Sequence, residues 1–167
     1  MTYIIINGAP GVGKSSLLNL LQDNLKSRYA LIDGDDLART VPLENNTEWL
    51  NLMQDNIAAC SENFIKYGIK NIIISFVFPT QERLNRFKKL LKREQDNFLY
   101  IVLKCEDDEL RKRIKIRDKQ RLLNIEDALN CNHKINRLEN DYVVETTDKS
   151  PELVLSEILK ILSEECQ

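Results

Sequence analysis

The stretch TYIIINGAPGVGKSSLLNLL, residues 2–21, predicts how the chain begins to fold. It starts with a β-branched run that ends in glycine and finishes with leucines at helical spacing, so the order is strand, loop, helix. Between these two elements, residues 8–15 (GAPGVGKS) fit the pattern GxxxxGK[ST] in full. Glycines in such a loop let backbone N–H groups wrap a phosphate, because the missing Cβ permits positive φ and close approach. The stretch therefore predicts a nucleotide phosphate site.

This phosphate loop, residues 8–15, lies directly between a predicted strand and a predicted helix, which is the context in which the motif binds nucleotides. Lys14 supplies a positive charge for the β and γ phosphates, and the Ser15 hydroxyl is placed to ligate Mg²⁺. The alternative is a glycine-rich turn with no ligand. We expect nucleotide contacts from the loop and the residue after it: Gly8, Ala9, Pro10, Gly11, Val12, Gly13, Lys14, Ser15 and Ser16.

The nucleotide expected in this loop is ATP. Guanine-specific proteins that use such a loop need an NKxD segment and a DxxG segment, and neither string occurs in the sequence. ATP and Mg²⁺ are therefore the expected cofactors.

Strands alternate with helices along the rest of the chain. After the first strand, Tyr3–Asn7, the predicted strands are Ala30–Asp33, Asn71–Val77, Phe98–Leu103 and Tyr142–Val144. Helical spacing of apolar residues recurs between them, and Ser150 caps a last helix, while the segment between the fourth and fifth strands is less regular beyond residue 121. The pattern predicts one α/β domain over residues 1–167, a doubly wound parallel sheet of five strands with helices on both faces. Ligands of such a sheet bind at the carboxyl ends of its strands.

Composition limits the partners and the location of the protein. The chain has 24 Lys and Arg against 26 Asp and Glu, a formal charge of −2, so no overall attraction to nucleic acid is implied. Its four cysteines form no CxxC pair, and reduced thiols are expected. The N-terminal apolar run has no basic leader and is too short to span a membrane, so we expect a cytoplasmic protein with no membrane partner. Nothing in the sequence indicates an oligomeric state.

A cluster of carboxylates, Asp33-Gly34-Asp35-Asp36, ends the second predicted strand beside the phosphate loop. Alternate residues of an extended strand point to one face, which would place Asp33 and Asp35 together. Phosphoryl transfer to a hydroxyl needs a carboxylate to accept the proton and others to hold the metal. We therefore expect Asp35 to be the base that contacts the acceptor and Asp33 to ligate Mg²⁺, directly or indirectly. The alternative is a solvated acidic turn.

A basic stretch runs from residue 109 to residue 121, and Arg113, Arg117 and Arg121 lie four apart on one helical face. A mobile arginine lid neutralises the γ-phosphoryl group and excludes water when it closes. We expect such a lid over about residues 107–138, with catalytic roles for Arg113 and Arg117. An ordinary solvated helix is the alternative. Contact with nucleic acid is less expected, because the stretch has no aromatic residues for stacking.

Aromatic and basic side chains follow the third predicted strand at the ligand edge of the sheet. Phe76 and Phe78 stand at the end of this strand, and Arg83 lies in the helix after it. One interpretation is that all three line the acceptor site. The other is that the rings pack in the core while the arginine lies on the surface.

Five segments together resemble the small P-loop kinases. They are GAPGVGKS, LIDGDDLAR, IIISFVFPTQERLNR, LRKRIKIRD and VVETTDKSPELVLSEI, which span nearly the whole chain in order. The family includes adenylylsulfate, gluconate and shikimate kinases and chloramphenicol phosphotransferase. The resemblance implies a P-loop NTPase fold of the nucleoside-monophosphate-kinase type with a small basic helical lid. It also implies ATP- and Mg²⁺-dependent transfer of the γ-phosphoryl group to a hydroxyl of a small molecule.

The resemblance also implies roles for single residues. Asp35 and Asp33 match the family's acceptor-side base and Mg²⁺-associated aspartate. Arg39 stands where a basic residue commonly meets the acceptor, and Thr147 stands where related kinases contact adenine.

Three other functions remain open. A nucleoside or nucleotide kinase would use the same residues. A polynucleotide 5′-hydroxyl kinase is less favoured, because its DD-aromatic-x-R pattern is replaced here by Leu37 and Ala38, with the arginine one position later. A regulatory P-loop ATPase would hydrolyse ATP in response to a partner. The residues do not identify the phosphoryl acceptor.

Overall fold

The structure, a computed structural model, describes residues 1–37, 40–41, 46–91, 96–117 and 124–166, without the side chain of Arg117. Within these residues the strands are β1 (Thr2–Asn7), β2 (Tyr29–Asp33), β3 (Asn71–Phe76), β4 (Asn97–Lys104) and β5 (Tyr142–Glu145). The α-helices are α1 (Lys14–Asn24), α2 (Thr47–Lys66), α3 (Gln81–Leu91), α4 (Asp107–Arg117), α5 (Ile125–Ile135) and α6 (Pro151–Glu165). A short 3₁₀ turn, Gly34–Asp36, follows β2.

The strands form one sheet in the order β2-β3-β1-β4-β5, and every neighbouring pair is parallel. The central strand β1 places Ile4 beside Ile73 of β3 and Leu99 of β4. Its isoleucines are fully buried, as expected for a strand covered on both faces. The predicted doubly wound parallel sheet is therefore confirmed.

Helices cover the two faces of the sheet and divide the core in two. On one face, leucines of α1 and α6 pack with Ile4, Ile6 and Ile73. On the other face, residues of α2 and α3 pack with Ile72 and Ile74. Alternate residues of β3 thus belong to opposite halves of the core, which fixes the face to which each side chain of that strand points.

One expectation about the segment after β4 needs correction. Part of the less regular segment is helix α5, whose buried face includes a polar residue, Asn132, among apolar ones. Within the described part of the predicted lid, Leu110 and Ile114 of α4 and Leu129 of α5 pack in the same half of the core as the leucines of α1. No helix among the described residues is long and apolar enough to cross a membrane.

Candidate active site

The phosphate loop has the backbone conformation that its glycines predict. Gly11 and Gly13 adopt positive φ values of 91° and 113°. Gly8 has another constraint, because a Cβ there would lie 2.7 Å from Cγ1 of Val12 and 3.1 Å from the carbonyl oxygen of Leu103. The loop therefore needs glycine for two physical reasons, left-handed backbone at two positions and close packing at the first.

Lys14 is turned back into the phosphate loop. Its Nζ donates hydrogen bonds to the carbonyl oxygens of Gly8 at 2.9 Å and Ala9 at 3.2 Å. Only 8% of the residue is exposed, so these carbonyl groups replace water around the ammonium ion. The arrangement holds a positive charge against the phosphate loop, which suits a polyphosphate.

Asn7, the last residue of β1, ties this loop to the neighbouring strand ends. Its Oδ1 accepts hydrogen bonds from the backbone N–H groups of Gly8 (2.8 Å) and Phe78 (2.9 Å). Its Nδ2 donates to the carbonyl oxygen of Phe78 (2.9 Å) and to the hydroxyl of Tyr100 (2.6 Å). Burial raises the pKa of Tyr100 to about 12, so this hydroxyl stays neutral at physiological pH. Sequence reasoning did not identify Asn7, because its partners are distant in sequence.

The carboxylates after β2 lie at the same edge of the sheet but not as expected. Asp33 ends the strand, and its Oδ1 accepts a hydrogen bond from the backbone N–H of Asp35 at 3.2 Å. Asp35 and Asp36 lie in the 3₁₀ turn, and both are exposed. The prediction that Asp33 and Asp35 alternate along extended backbone is therefore wrong. Asp33 instead fixes the backbone of the turn that presents Asp35.

Gly34 lies buried beneath this turn. A Cβ at Gly34 would lie 2.4 Å from Cδ2 of Phe76 and 3.0 Å from Cδ1 of Ile57. The turn thus rests directly on the ring at the end of β3 and on α2, and no larger residue fits without displacing them.

The residues at this edge fit a magnesium ion. Ser15 in the first turn of α1 and Asp33 at the end of β2 offer the hydroxyl and carboxylate oxygens that Mg²⁺ prefers. Beside Asp33 on β3, the buried hydroxyl of Ser75 has no hydrogen-bond partner among the described residues. The edge therefore has a polar group that still lacks a partner, as expected of a site completed by a hydrated ion.

A pocket of about 510 Å³ opens beside the phosphate loop, on the side of α4 and α6. Its lining contains both apolar and polar groups, which is typical of a binding site for a planar heterocyclic ring. Its lining residues are Gly11, Val12, Gly13, Ser15, Ser16, Leu17, Asn19, Leu103, Glu109, Arg113, Ile116, Thr146, Lys149, Pro151 and Val154. Thr147 does not line it. The Thr147 hydroxyl donates to Glu145 at 2.7 Å and accepts from the backbone N–H of Glu106 at 2.8 Å, so Thr146 and Lys149 form this wall instead.

Arg113, on helix α4 of the predicted lid, lies in the wall of the pocket. Its Nε donates to Glu109 at 2.9 Å, and this bond holds the pKa of the Glu109 carboxyl below its usual range. Nη1 donates to the carbonyl oxygen of Val12 (3.2 Å) and to Oγ1 of Thr146 (3.1 Å), and Nη2 donates to the carbonyl oxygen of Thr146 (2.6 Å). Its guanidinium thus joins α4, the phosphate loop and the segment after β5.

The expected acceptor-site residues divide between core and surface. Phe76 and Phe78 are 2% and 0% exposed and pack edge to face at 5.3 Å, so their rings belong to the core rather than to a pocket wall. Arg83 is half-buried, and among the described residues its Nη2 donates one long bond, 3.4 Å, to Oγ1 of Thr47. Arg39, Arg121 and the side chain of Arg117 lie outside the described residues.

Comparison with known proteins places the chain among nucleotide-binding folds. The family model described as AAA domain matches residues 4–132. No curated protein sequence matches the chain significantly.

Solved structures resemble the whole chain. The tunicamycin resistance protein of Deinococcus radiodurans aligns with a TM-score of 0.70 and 18% identity, over 96% of this chain and 95% of that one. Shikimate kinase from Aquifex aeolicus aligns with a TM-score of 0.66 and 18% identity, over 98% of each chain. A mutant of the Mycobacterium tuberculosis APS kinase aligns with a TM-score of 0.64 and 15% identity, over 97% of this chain and 96% of that one. The similarity lies in the fold.

Proposed function

The chain belongs to the AAA domain family and has the fold of the small P-loop kinases, and from this premise we propose its activity. It is a kinase that transfers the γ-phosphoryl group of ATP to a hydroxyl group of a small molecule. The observation that carries the proposal is the placement of two parts at one edge of the sheet: a complete phosphate loop into which Lys14 is turned, and the Asp33–Asp36 turn. Phosphoryl transfer needs both parts, a cradle for the phosphates and a carboxylate for the acceptor proton.

ATP would lie across the phosphate loop with its base in the 510 Å³ pocket. Lys14 and the backbone N–H groups of the loop bind the phosphates, and the N-terminus of α1 adds a favourable dipole. Arg113 and Thr146 form the base-side wall, so Arg113 acts here in nucleotide binding. Ser15 and Asp33 are the residues that would hold Mg²⁺. When bound, the ion neutralises charge on the phosphates and orients them for transfer.

Asp35 is proposed as the base. The acceptor oxygen attacks the γ-phosphorus, its proton passes to the Asp35 carboxylate, and the bond from the γ-phosphorus to the bridging oxygen breaks to release ADP. The hydrogen bond from the Asp35 backbone to Asp33 supports this role, because it fixes the turn relative to β2. Exposure of Asp35 supports it too, since an acceptor must be able to reach the carboxylate.

ATP consumption tests the proposal directly. The purified protein with Mg²⁺ is given a panel of sugar acids, nucleosides, nucleotides, sulfated nucleotides, antibiotics and 5′-hydroxyl oligonucleotides. We expect one class of small acceptor to be phosphorylated. Nucleotide binding without any acceptor response, and hydrolysis stimulated only by a partner protein, would instead indicate a regulatory ATPase.

A matched pair of variants tests the assignment of the base. Asp35→Asn should lower kcat by at least about 100-fold while nucleotide affinity stays within about twofold, because the amide cannot accept the proton. Asp36→Asn changes the next carboxylate in the same turn and should leave kcat within about threefold. Equal losses in the two variants, or loss of nucleotide affinity together with kcat, would contradict the role of Asp35.

A further inference from the structure

Asn56, in the middle of α2, bonds to the turn that follows β2. Its Nδ2 donates a hydrogen bond to the backbone carbonyl oxygen of Leu37 at 3.1 Å. Leu37 directly follows the 3₁₀ turn and caps it, because its own N–H donates to the carbonyl oxygen of Gly34 at 3.1 Å. Both backbone polar groups of Leu37 are therefore bonded, one within the turn and the other to α2.

The turn that carries Asp35 is thus held at both of its ends. At the start, the carboxylate of Asp33 accepts a hydrogen bond from the backbone N–H of Asp35 at 3.2 Å. At the end, the amide of Asn56 donates to Leu37. Asp35 lies between these two bonds, and its own side chain is exposed. The position of its carboxylate therefore depends on how firmly the backbone of the turn is held.

Packing of α2 against the same turn supports the contact made by Asn56. The next residue, Ile57, is fully buried, and a Cβ at Gly34 would lie 3.0 Å from its Cδ1. Asn56 itself is half-buried, so its amide is partly shielded from the water that competes for the carbonyl group of Leu37. Two consecutive residues of α2 thus hold the turn, one by packing and one by a hydrogen bond.

The two residues before Asn56 bond to another helix. Gln54 and Asp55 accept hydrogen bonds from Arg86 of α3, at 2.7 Å and 2.9 Å. Successive residues of a helix point about 100° apart, so one short segment of α2 reaches neighbours on different sides. Helix α2 therefore bonds to α3 through residues 54 and 55 and to the turn through residue 56.

We propose that Asn56 is a positioning residue for the reaction, whose amide holds the end of the turn and so keeps the carboxylate of Asp35 within reach of the acceptor hydroxyl. The inference rests on the proposed function, in which Asp35 accepts the proton. Asn56 acts through Leu37 and takes no part in the proton transfer itself. Proton transfer requires hydrogen-bond distance between base and acceptor, so a base displaced by about 1 Å loses much of its effect on the rate.

The kinetics of two Asn56 variants test the proposal. The substrates are ATP with Mg²⁺ and the acceptor that the panel identifies. Asn56→Ala should lower kcat by about tenfold, while the acceptor KM and the Kd of a fluorescent ATP analogue stay within about twofold. Asn56→Asp keeps the shape of the side chain but has no donor when ionised, so its kcat should fall at least as far.

A double variant separates positioning from general damage. If Asn56 acts through Asp35, Asn56→Ala should cause no further loss of kcat in a protein that already carries Asp35→Asn. Ser61→Ala is the matched control on the same helix. The hydroxyl of Ser61 also donates to a backbone carbonyl oxygen, that of Ile57 at 2.8 Å, but this bond lies within α2. Its kcat should stay within about twofold.

Hydrogen exchange measures the turn directly and does not depend on activity. The amide of Leu37, which closes the turn, should exchange at least about tenfold faster in Asn56→Ala than in the unsubstituted protein, because the turn opens more often. Nuclear magnetic resonance of the ligand-free protein measures this rate. Ser61→Ala should leave the exchange of the Leu37 amide unchanged.

The outcomes distinguish the inference from the proposed function. A kcat within about twofold of the unsubstituted protein in either Asn56 variant, or unchanged exchange at Leu37, overturns the inference and leaves the kinase proposal intact. An equal loss of kcat with and without Asp35→Asn, or an equal loss of kcat and of nucleotide affinity, also overturns it, because Asn56 would then not act through Asp35. Absence of phosphoryl transfer by the unsubstituted protein overturns the proposed function, and the inference with it.

Discussion

Asn7 holds Phe78 by both backbone groups of that residue, with its Oδ1 accepting from the Phe78 N–H and its Nδ2 donating to the Phe78 carbonyl oxygen, each at 2.9 Å. The same Oδ1 accepts from the N–H of Gly8, the first residue of the phosphate loop. One buried side chain therefore fixes the distance between the phosphate loop and the segment that leads from β3 into α3. In the proposed reaction the phosphate loop binds the nucleotide, and the segment from β3 into α3 lies on the side of the acceptor.

The first prediction concerns Asn7→Ala. The change leaves two buried N–H groups and one carbonyl oxygen without their partner, so we expect a loss of about 3 kcal/mol in the free energy of unfolding. Urea denaturation measures it. Nucleotide affinity should fall as well, because the N–H of Gly8 is no longer held in place.

Tyr100→Phe is the matched control for this prediction. It removes the hydroxyl that accepts from Nδ2 of Asn7 at 2.6 Å but leaves the bonds to Gly8 and Phe78. We expect a loss of about 1 kcal/mol and an unchanged nucleotide affinity. If the two variants lose equal stability and equal affinity, the role of Asn7 as a link to the phosphate loop is refuted.

Local sequence patterns predicted the parts of the site that depend on neighbouring residues. Gly8–Ser15 specifies its own conformation through glycine spacing, and the β-branched runs on either side of it specify buried parallel strands. The order of strands and helices then places Asp33 at the ligand edge. In each case the signal lies within about ten residues, so a single sequence is enough.

The rest depends on contacts between residues distant in sequence. Asn7 meets Phe78 and Tyr100 only because β3 and β4 flank β1, and the position of Ser75 beside Asp33 depends on the register between β2 and β3. The sequence predicted an extended strand end at Asp35, but the structure has a turn there. The turn forms because the Asp33 carboxylate accepts a hydrogen bond from the backbone N–H of Asp35. Helix α5 was missed because Asn132, a polar residue, occupies its buried face, where its Nδ2 donates to the carbonyl oxygen of Cys105.

The second prediction concerns Arg113→Ala. The variant removes the bonds to Val12 and Thr146, so the phosphate loop and the segment after β5 are no longer joined across the pocket. We expect the Kd for ATP to rise about tenfold or more, since bonds to a guanidinium contribute about 1.5–3 kcal/mol. Equilibrium binding of a fluorescent ATP analogue measures it. Arg113→Lys should restore little of the lost ATP affinity, because an ammonium group cannot bond to the three acceptors in one plane as the guanidinium does.

Arg111→Ala is the control on the same helix. Arg111 pairs with Glu126 of α5 at 2.7 Å, on the surface and away from the pocket lining. Solvent screens such an exposed pair, so the Kd for ATP should stay within about twofold. If Arg113→Ala behaves like Arg111→Ala, the arginine of the pocket wall takes no part in nucleotide binding.

The third prediction concerns Arg83, whose guanidinium has no carboxylate partner among the described residues. Arg86 lies one turn further along α3, and its guanidinium donates hydrogen bonds to Gln54 at 2.7 Å and to Asp55 at 2.9 Å. A half-buried guanidinium that none of the described carboxylates pairs with is available to a polar acceptor at the ligand edge, so Arg83→Gln should raise the KM of the acceptor found in the panel about tenfold. Its kcat and the Kd for ATP should stay within about threefold. Arg86→Gln should change acceptor KM little, because that side chain is already occupied, and an equal rise in both variants would show that α3 acts only through its packing.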